Sequence, residues 1–164
     1  SEMKQALKEK NDMNNKSRMI AGYCYEWVTQ KNTLKDQFDI ILDHDFKAKW
    51  NFSTTSTWAI DEDSFDQVGC IHTAQGLEFD YVGVIIGKDL VYKDEKVITD
   101  YTKRAKTDAS LKGIKTTKNY ELADRIIRNT YKTLLSRGQK GCYIYCEDKA
   151  LSNYLKERLE NRTI

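Results

Sequence analysis

Val68-Gly-Cys-Ile-His72-Thr73-Ala-Gln75-Gly76-Leu-Glu78-Phe-Asp80-Tyr-Val-Gly-Val-Ile-Ile86 is the stretch whose reading decides the fold. Two nearly continuous apolar runs of strand length, residues 68–71 and 81–86, enclose a short polar segment. A run without alternation has no solvent face, so both read as central strands of a sheet covered on two sides, the pattern of parallel sheets. The polar segment then stands where such a strand ends. His72, Thr73, Gln75 and Gly76 offer an imidazole, a hydroxyl, an amide and a bare backbone at the carboxyl end of a parallel sheet, where ligands bind in α/β folds. Gly76 permits close backbone approach, and Glu78 can accept from a sugar hydroxyl or a facing Arg. The same residues read equally well as a tight strand-to-helix turn with ordinary polar caps.

Outward from this stretch, strand and helix patterns alternate. Upstream, Arg18-Met-Ile-Ala-Gly-Tyr-Cys-Tyr25 is short and apolar, which predicts a buried strand and then a turn containing Trp27. Downstream, Asp89-Leu-Val-Tyr92 and Lys96-Val-Ile-Thr99 flank Lys93-Asp-Glu95 as a small hairpin. Residues 100–118 are polar and basic, with Lys103, Arg104, Lys106, Lys112, Lys115 and Lys118, and read as a loop holding the one local positive cluster. Asn119 is placed to cap a helix whose stripe is Leu122, Ile126, Ile127, Thr130, Tyr131, Leu134 and Leu135, with Gly138 just past its end as a stop. Gly141-Cys-Tyr-Ile-Tyr-Cys146 is a further strand, and Asp148 caps a last helix that buries Leu151, Leu155 and Leu159. Residues 2–16 form a weak amphipathic helix on Met3, Ala6, Leu7 and Met13. Residues 29–64 are irregular apart from a short strand at 38–42. Such alternation predicts an α/β sheet of mostly parallel order.

A chain of 164 residues suits one domain. Its 27 Lys and Arg nearly balance 25 Asp and Glu, leaving a net charge of +2 and no bulk attraction to nucleic acid or membrane. Any nucleic-acid contact must therefore be local. Proline is absent, so turns fall to Gly, Asn and Asp, and Pro-rich ligand motifs are excluded. No run approaches the roughly 18 apolar residues that span a bilayer, and residues 1–16 lack an apolar signal core, so a cytoplasmic protein with no membrane partner is expected. Cys24, Cys70, Cys142 and Cys146 lie in apolar stretches and read as reduced thiols of the core. Cys70-x-His72 with Cys142-x3-Cys146 lacks the spacing of a zinc site, so no metal ligands are expected. Trp27, Trp50 and Trp58 could stack bases, but core packing is the commoner use of such residues.

A self-sufficient P-loop ATPase needs G-x-x-x-x-G-K-[ST], whose amides and Lys cradle the phosphates, and none exists in the sequence. Gly83-Val-Ile-Ile-Gly87-Lys88-Asp89 is short by one residue between its glycines and puts Asp89 where a metal-binding hydroxyl belongs. Ile40-Ile-Leu-Asp43 and Asp61-Glu62 mimic the apolar-then-acidic magnesium motif but have no phosphate loop to serve. There is no G-x-S-x-G elbow and no H-E-x-x-H, and two His leave little for hydrolytic triads.

His72-Thr-Ala-Gln-Gly-Leu-Glu78-Phe followed by an apolar strand resembles motif V of superfamily 1 helicases, His-x-x-Lys/Gln-Gly-Leu-Glu-Phe. Downstream, Asn129-Thr-Tyr-Lys-Thr-Leu-Leu-Ser136-Arg137-Gly-Gln-Lys-Gly-Cys-Tyr-Ile-Tyr145 is similar to motif VI, where a helix ends in Thr/Ser-Arg and a strand follows. Together with Ser17-Arg-Met-Ile-Ala-Gly-Tyr-Cys-Tyr-Glu-Trp27, the wording resembles the bacterial schlafen-type helicase-like ATPases. The likeness runs from about Lys16 to Leu159 and matches the C-terminal half of such proteins.

That resemblance implies a RecA-like three-layer α/β domain, a P-loop NTPase-type fold without its own Walker A. Residues 17–164 would be the second RecA-like domain, and residues 1–16 a helix or linker from a first domain. ATP and Mg²⁺ would be held mainly by an N-terminal P-loop domain of the same full-length protein, so the isolated chain would not hydrolyse ATP. Arg137 would be the arginine finger that meets charge on the transferred phosphate. Its other reading is a cation neutralising carbonyls at a helix C-terminus. Gln75, Gly76 and Glu78 would approach the nucleotide, and His72 and Thr73 a single-stranded DNA or RNA track. Gln75 stands where the helicase pattern more often has Lys, so a charge is lost there. Arg18 matches the motif IV arginine only loosely and reads as a strand-edge Arg. Two other readings stay open: an ATP-dependent regulatory or defence switch of the schlafen kind without translocation, and a non-catalytic RecA-like interaction module.

Overall fold

A computed structural model describes residues 2–30, 36–43, 46–51 and 57–161. Within them β1 (Ser17–Ala21), β2 (Ile40–Leu42), β3 (Phe46–Trp50), β4 (Gln67–Gly69), β5 (Phe79–Ile86) and β8 (Gly138–Cys146) form a six-stranded sheet in the order β2-β3-β4-β1-β5-β8. All neighbours are parallel except β2 with β3 at one edge. β6 (Leu90–Lys93) and β7 (Lys96–Thr99) pair as a separate hairpin whose turn residues Asp94 and Glu95 both have positive φ, the geometry that matches strand twist. The helices are α1 (Glu2–Asn14), α2 (Ile114–Thr117), α3 (Tyr120–Leu135) and α4 (Lys149–Glu160). This is the expected α/β fold with a mostly parallel sheet, of the RecA-like kind.

The strand that organises the sheet is β1, buried along its whole length. On one face Met19 and Ala21 pack with Leu7 of α1, Trp50, Phe65, Val68 and Ile85. On the other, Ile20 packs with Val82, Val84 and Ile86 of β5, Ile127, Tyr131 and Leu134 of α3, and Leu151 of α4. α1 therefore forms part of the layer on its face, anchored by Leu7, whose complete burial is worth roughly 1.5–3 kcal/mol. The glycines of the decoy loop are explained by this packing. A Cβ on Gly83 would collide with the Leu7 side chain, and one on Gly87 would lie 2.6 Å from Cys24 Sγ.

The two caps form as read. Asn119 Oδ1 accepts from the Leu122 amide at 3.1 Å, and Asp148 accepts from the Leu151 amide at 3.1 Å. Trp50 and Trp58 are core residues and Trp27 is half-buried against Trp50, so packing accounts for the three tryptophans. Several expectations are corrected. The first strand ends at Ala21, four residues early, and the irregular region contains β3, whose Phe46-Lys-Ala-Lys-Trp50 alternates buried and exposed. Residues 31–35, 44–45 and 52–56 of that region lie outside the described residues. Residues 100–118 hold two 3₁₀ turns and α2. Gly138 is the first residue of β8, with no left-handed stop, because α3 already ends at Leu135. Leu159 is exposed in the last turn of α4, and Cys142 is exposed on the outer strand β8, outside the core. Asp43 of the Walker-B-like run is exposed at the end of the antiparallel strand β2.

Arg18 does not lie at a strand edge. It is fully buried, donating to Ser64 Oγ at 2.9 Å, Asn11 Oδ1 at 3.0 Å, and the carbonyls of Ser17 at 2.8 Å and Asp61 at 3.0 Å. Burial pulls its pKa below the ordinary arginine value, against the raising influence of the Asp61 carboxylate.

Candidate functional site

The segment joining β4 to β5 crosses from one side of the sheet to the other. β4 ends at Gly69, level with Ile20 and Val84, whereas β5 begins at Phe79, five residues upstream of Val84. Between them residues 71–76 are tight turns. Thr73 builds the first: its Oγ1 accepts from the Cys70 amide at 2.8 Å and donates to the Cys70 carbonyl at 3.0 Å. The Ala74 side chain drops into the core, and Gly76 turns the chain with φ of +74°. A Cβ at Gly76 would touch nothing within 4 Å, so the sign of φ, and not crowding, demands glycine there. The polar segment is thus split. His72 stays on the carboxyl side beside Tyr23, ring centroids 6.1 Å apart, while Leu77 and Glu78 reach the amino edge.

Arg137 meets the segment at that amino edge. Its amide donates to the Leu134 carbonyl at 3.2 Å, and its carbonyl accepts from the Phe79 amide at 3.0 Å, which ties the end of α3 to the start of β5. The guanidinium donates through Nε to the Thr133 carbonyl at 3.2 Å, through Nη1 to the Leu77 carbonyl at 3.5 Å and through Nη2 to Ser136 Oγ at 3.4 Å. Among the described residues no carboxylate pairs with it. Carbonyls at a helix C-terminus hold a cation by only about 0.3–1 kcal/mol, whereas a phosphate accepts two parallel charge-assisted bonds from the same fork. Nearby, Lys140 Nζ lies 2.7 Å from Asp80 Oδ2, and Asn14 Nδ2 donates to the same oxygen at 2.8 Å. These bonds hold the Asp80 carboxyl below its ordinary pKa.

The structure therefore brings Arg137 together with the Gly76–Glu78 end of the motif, and Gln75, Gly76 and Glu78 are all exposed. It does not bring His72 and Thr73 to that end, and the Thr73 hydroxyl is occupied by backbone. A family model described as "Schlafen group 3, DNA/RNA helicase domain" matches residues 1–148. The chain belongs to the schlafen group 3 helicase domain family. The schlafen-type domain is also similar to an uncharacterized protein of Saccharomyces cerevisiae, 29% identical over 164 residues, covering 96% of the chain and 34% of the yeast protein. It thus spans about a third of that relative's length. No solved structure matches it.

At the carboxyl edge the schlafen-type domain carries a buried network that its sequence did not announce. Arg104 lies between Asp108, 2.7 Å away, and Asp89, 3.1 Å away, with all three side chains almost fully buried. Tyr131 of α3 donates its hydroxyl to Asp89 and accepts from the Gly87 amide at 3.0 Å. Burial alone would lower the Arg104 pKa, but the Asp108 and Asp89 carboxylates outweigh it and raise it. Tyr131 is pushed well above the ordinary tyrosine value, first by burial and then by the nearby Cys24 and Asp89. In the sequence Asp89 reads as the start of a hairpin strand and as the residue that spoils a phosphate loop, and Arg104 as one of several loop cations. Among the described residues no group of His, Cys, Asp and Glu is arranged to hold a metal, and no helix is long and apolar enough to cross a membrane.

Proposed function

We propose that this domain is the second RecA-like motor domain of a nucleic-acid-dependent nucleoside triphosphatase, residues 17–164, with residues 1–16 leading in from a first domain. It completes an ATP site whose P-loop and Mg²⁺ ligands belong to an N-terminal domain of the same full-length protein. The observation that carries the reading is Arg137, a cation at an exposed sheet edge held by neutral carbonyls and paired with no described carboxylate. The residues present fit a phosphate, since Arg137 offers the fork and its Nη1 reaches the Leu77 carbonyl next to the exposed Gly76. The magnesium ligands in this reading are carboxylates and a hydroxyl of the P-loop domain. When bound, ATP supplies the phosphoanhydride, and the task of this chain is to stabilise charge at its outer phosphate through Arg137, with Gln75, Gly76 and Glu78 shaping the wall. Domain closure on the nucleotide would then be coupled to single-stranded DNA or RNA, with His72 and Thr73 on the strand side.

The test is steady-state ATP hydrolysis by the full-length protein. Arg137→Ala is expected to lower kcat by about 10³ or more, and Arg137→Lys nearly as far because the fork is lost. Full activity in Arg137→Ala overturns the finger assignment. Hydrolysis that depends on Arg137 but ignores single-stranded DNA and RNA favours the regulatory switch over the motor.

A further inference from the structure

The two ends of the main sheet are finished differently. At one end β2 has three residues, short enough to blunt an edge, and pairs antiparallel with β3. At the other end β8 has nine residues, lies parallel to β5 and pairs with no other strand among the described residues. Its one charge, Lys140, is held by Asp80, and beyond it Cys142-Tyr-Ile-Tyr-Cys146 is an apolar run without alternation. Such a run belongs to a strand with parallel neighbours and cover on both faces. The cover is there in part. Tyr143 and Tyr145 pack half-buried on the face that holds Leu7 of α1, and Cys146 packs on the face of α3 and α4. On that second face, however, Cys142 is exposed and Ile144 is 38% exposed. α4 falls short in the same way: along its stripe Leu151 is buried, Leu155 half-buried and Leu159 63% exposed.

We propose that β8 is an inner strand of the assembled sheet, and that the polypeptide following α4 in the full-length protein returns as a further strand along its free side. Chain direction selects this occupant. From β5 the chain crosses over α3 to β8, one place outward. α4 packs on the same face as α3, since Leu151 shares one cluster with Ile127, Tyr131 and Leu134. Crossovers between parallel strands are right-handed almost without exception, and two of one hand over one face step in the same direction. The step after α4 therefore leads to the free side of β8. The yeast relative, of which the domain covers 34%, has ample polypeptide outside the matched part. The incoming strand runs parallel to residues 141–146, spans about five or six residues and brings apolar side chains over Ile144 and Leu159. A second copy related by a two-fold axis would instead pair β8 antiparallel, against the parallel order of the strands beside it. This docking is independent of the ATPase reading, and its effect is to fasten whatever follows the domain to the sheet.

The experiment is residue-resolved hydrogen exchange on the full-length protein. Every second amide of residues 141–146 points away from β5 and is expected to exchange at least about a hundredfold more slowly than in an unfolded chain. Ile144→Lys, which sets a charge beneath the incoming side chains, should speed those amides at least about tenfold and leave the β1 amides unchanged. Ending the protein at Ile164 should bring them nearly to the unfolded rate. Should that shortened protein not fold, a proline inside the first apolar run after residue 164 makes the same test, since it cannot donate to the ladder. Rapid exchange of these amides in the full-length protein overturns the proposal. So does slow exchange that survives removal of everything past Ile164, which assigns the cover to the domain itself, and slow exchange that fades on dilution, which assigns it to a second copy. None of these outcomes bears on ATP hydrolysis, so the loss of either reading leaves the other standing.

Discussion

Arg104 and Arg137 stand at opposite edges of one sheet in opposite surroundings. Arg104 is buried between two carboxylates, with every direction of its fork answered by Asp89, Asp108 or Ser110. Arg137 is half-buried and answered by two carbonyls and a hydroxyl. The first arrangement places the charge in service of the fold, since removing either partner strands the other away from water. The second leaves the charge with no carboxylate partner among the described residues, held by neutral groups that bind a cation only weakly. A buried, ion-paired arginine and a partly exposed, carbonyl-held one are thus told apart by what surrounds them, although both follow helix or strand ends in similar polar sequence.

The contrast predicts unequal costs. Arg104→Met is expected to destabilise the protein by about 3–5 kcal/mol in denaturant unfolding, because Asp89 and Asp108 would remain buried without a cation. Adding Asp89→Asn to that variant should recover part of the loss, and a cost under about 1 kcal/mol for Arg104→Met alone would erase the distinction. Arg137→Ala should cost less than about 1 kcal/mol in the same assay, the worth of a cation at a helix end. A larger loss would make Arg137 a structural residue after all. The smallest effect belongs to the exposed pair on the amino edge. Asp80 has its folded pKa held below 3.8, so its contribution is present above that pH and fades as pH falls through the lowered value. In Lys140→Met the Asp80 carboxyl pKa, followed by NMR, should rise toward the ordinary value while the fold is unchanged.

Much of the fold was legible because its cause is local. Apolar runs without alternation announced β5 and the core of β8, and the Asn119 and Asp148 caps lie where side-chain oxygens precede helical stripes. The misses have physical reasons as well. The alternation of Phe46-Lys-Ala-Lys-Trp50 was present, but a strand of five residues leaves a weak signal amid irregular neighbours. Arg18 looked like an edge residue because nothing in Ser17-Arg-Met-Ile-Ala says that Asn11, Ser64 and the Asp61 carbonyl will gather around it from two other segments. The motif residues were legible as a set, whereas their division between two edges was not, since it depends on how far residues 71–78 travel back across the sheet. The Arg104 network was invisible for the same reason: its partners are 15 residues upstream at Asp89, 4 downstream at Asp108 and, through Asp89, on α3 at Tyr131.

The place of β1 in the sheet also governs how the chain must assemble. The strand is made early in the sequence, yet its partners are Val68 and Gly69 on one side and residues 81–85 on the other, and β5 in turn waits for residues 138–146. Each pairing closes a loop of roughly 50–65 residues before any contact rewards it, which is the regime of slow folding. On a ribosome, this fully buried strand would emerge well before its partners and remain unpaired until most of the domain had followed.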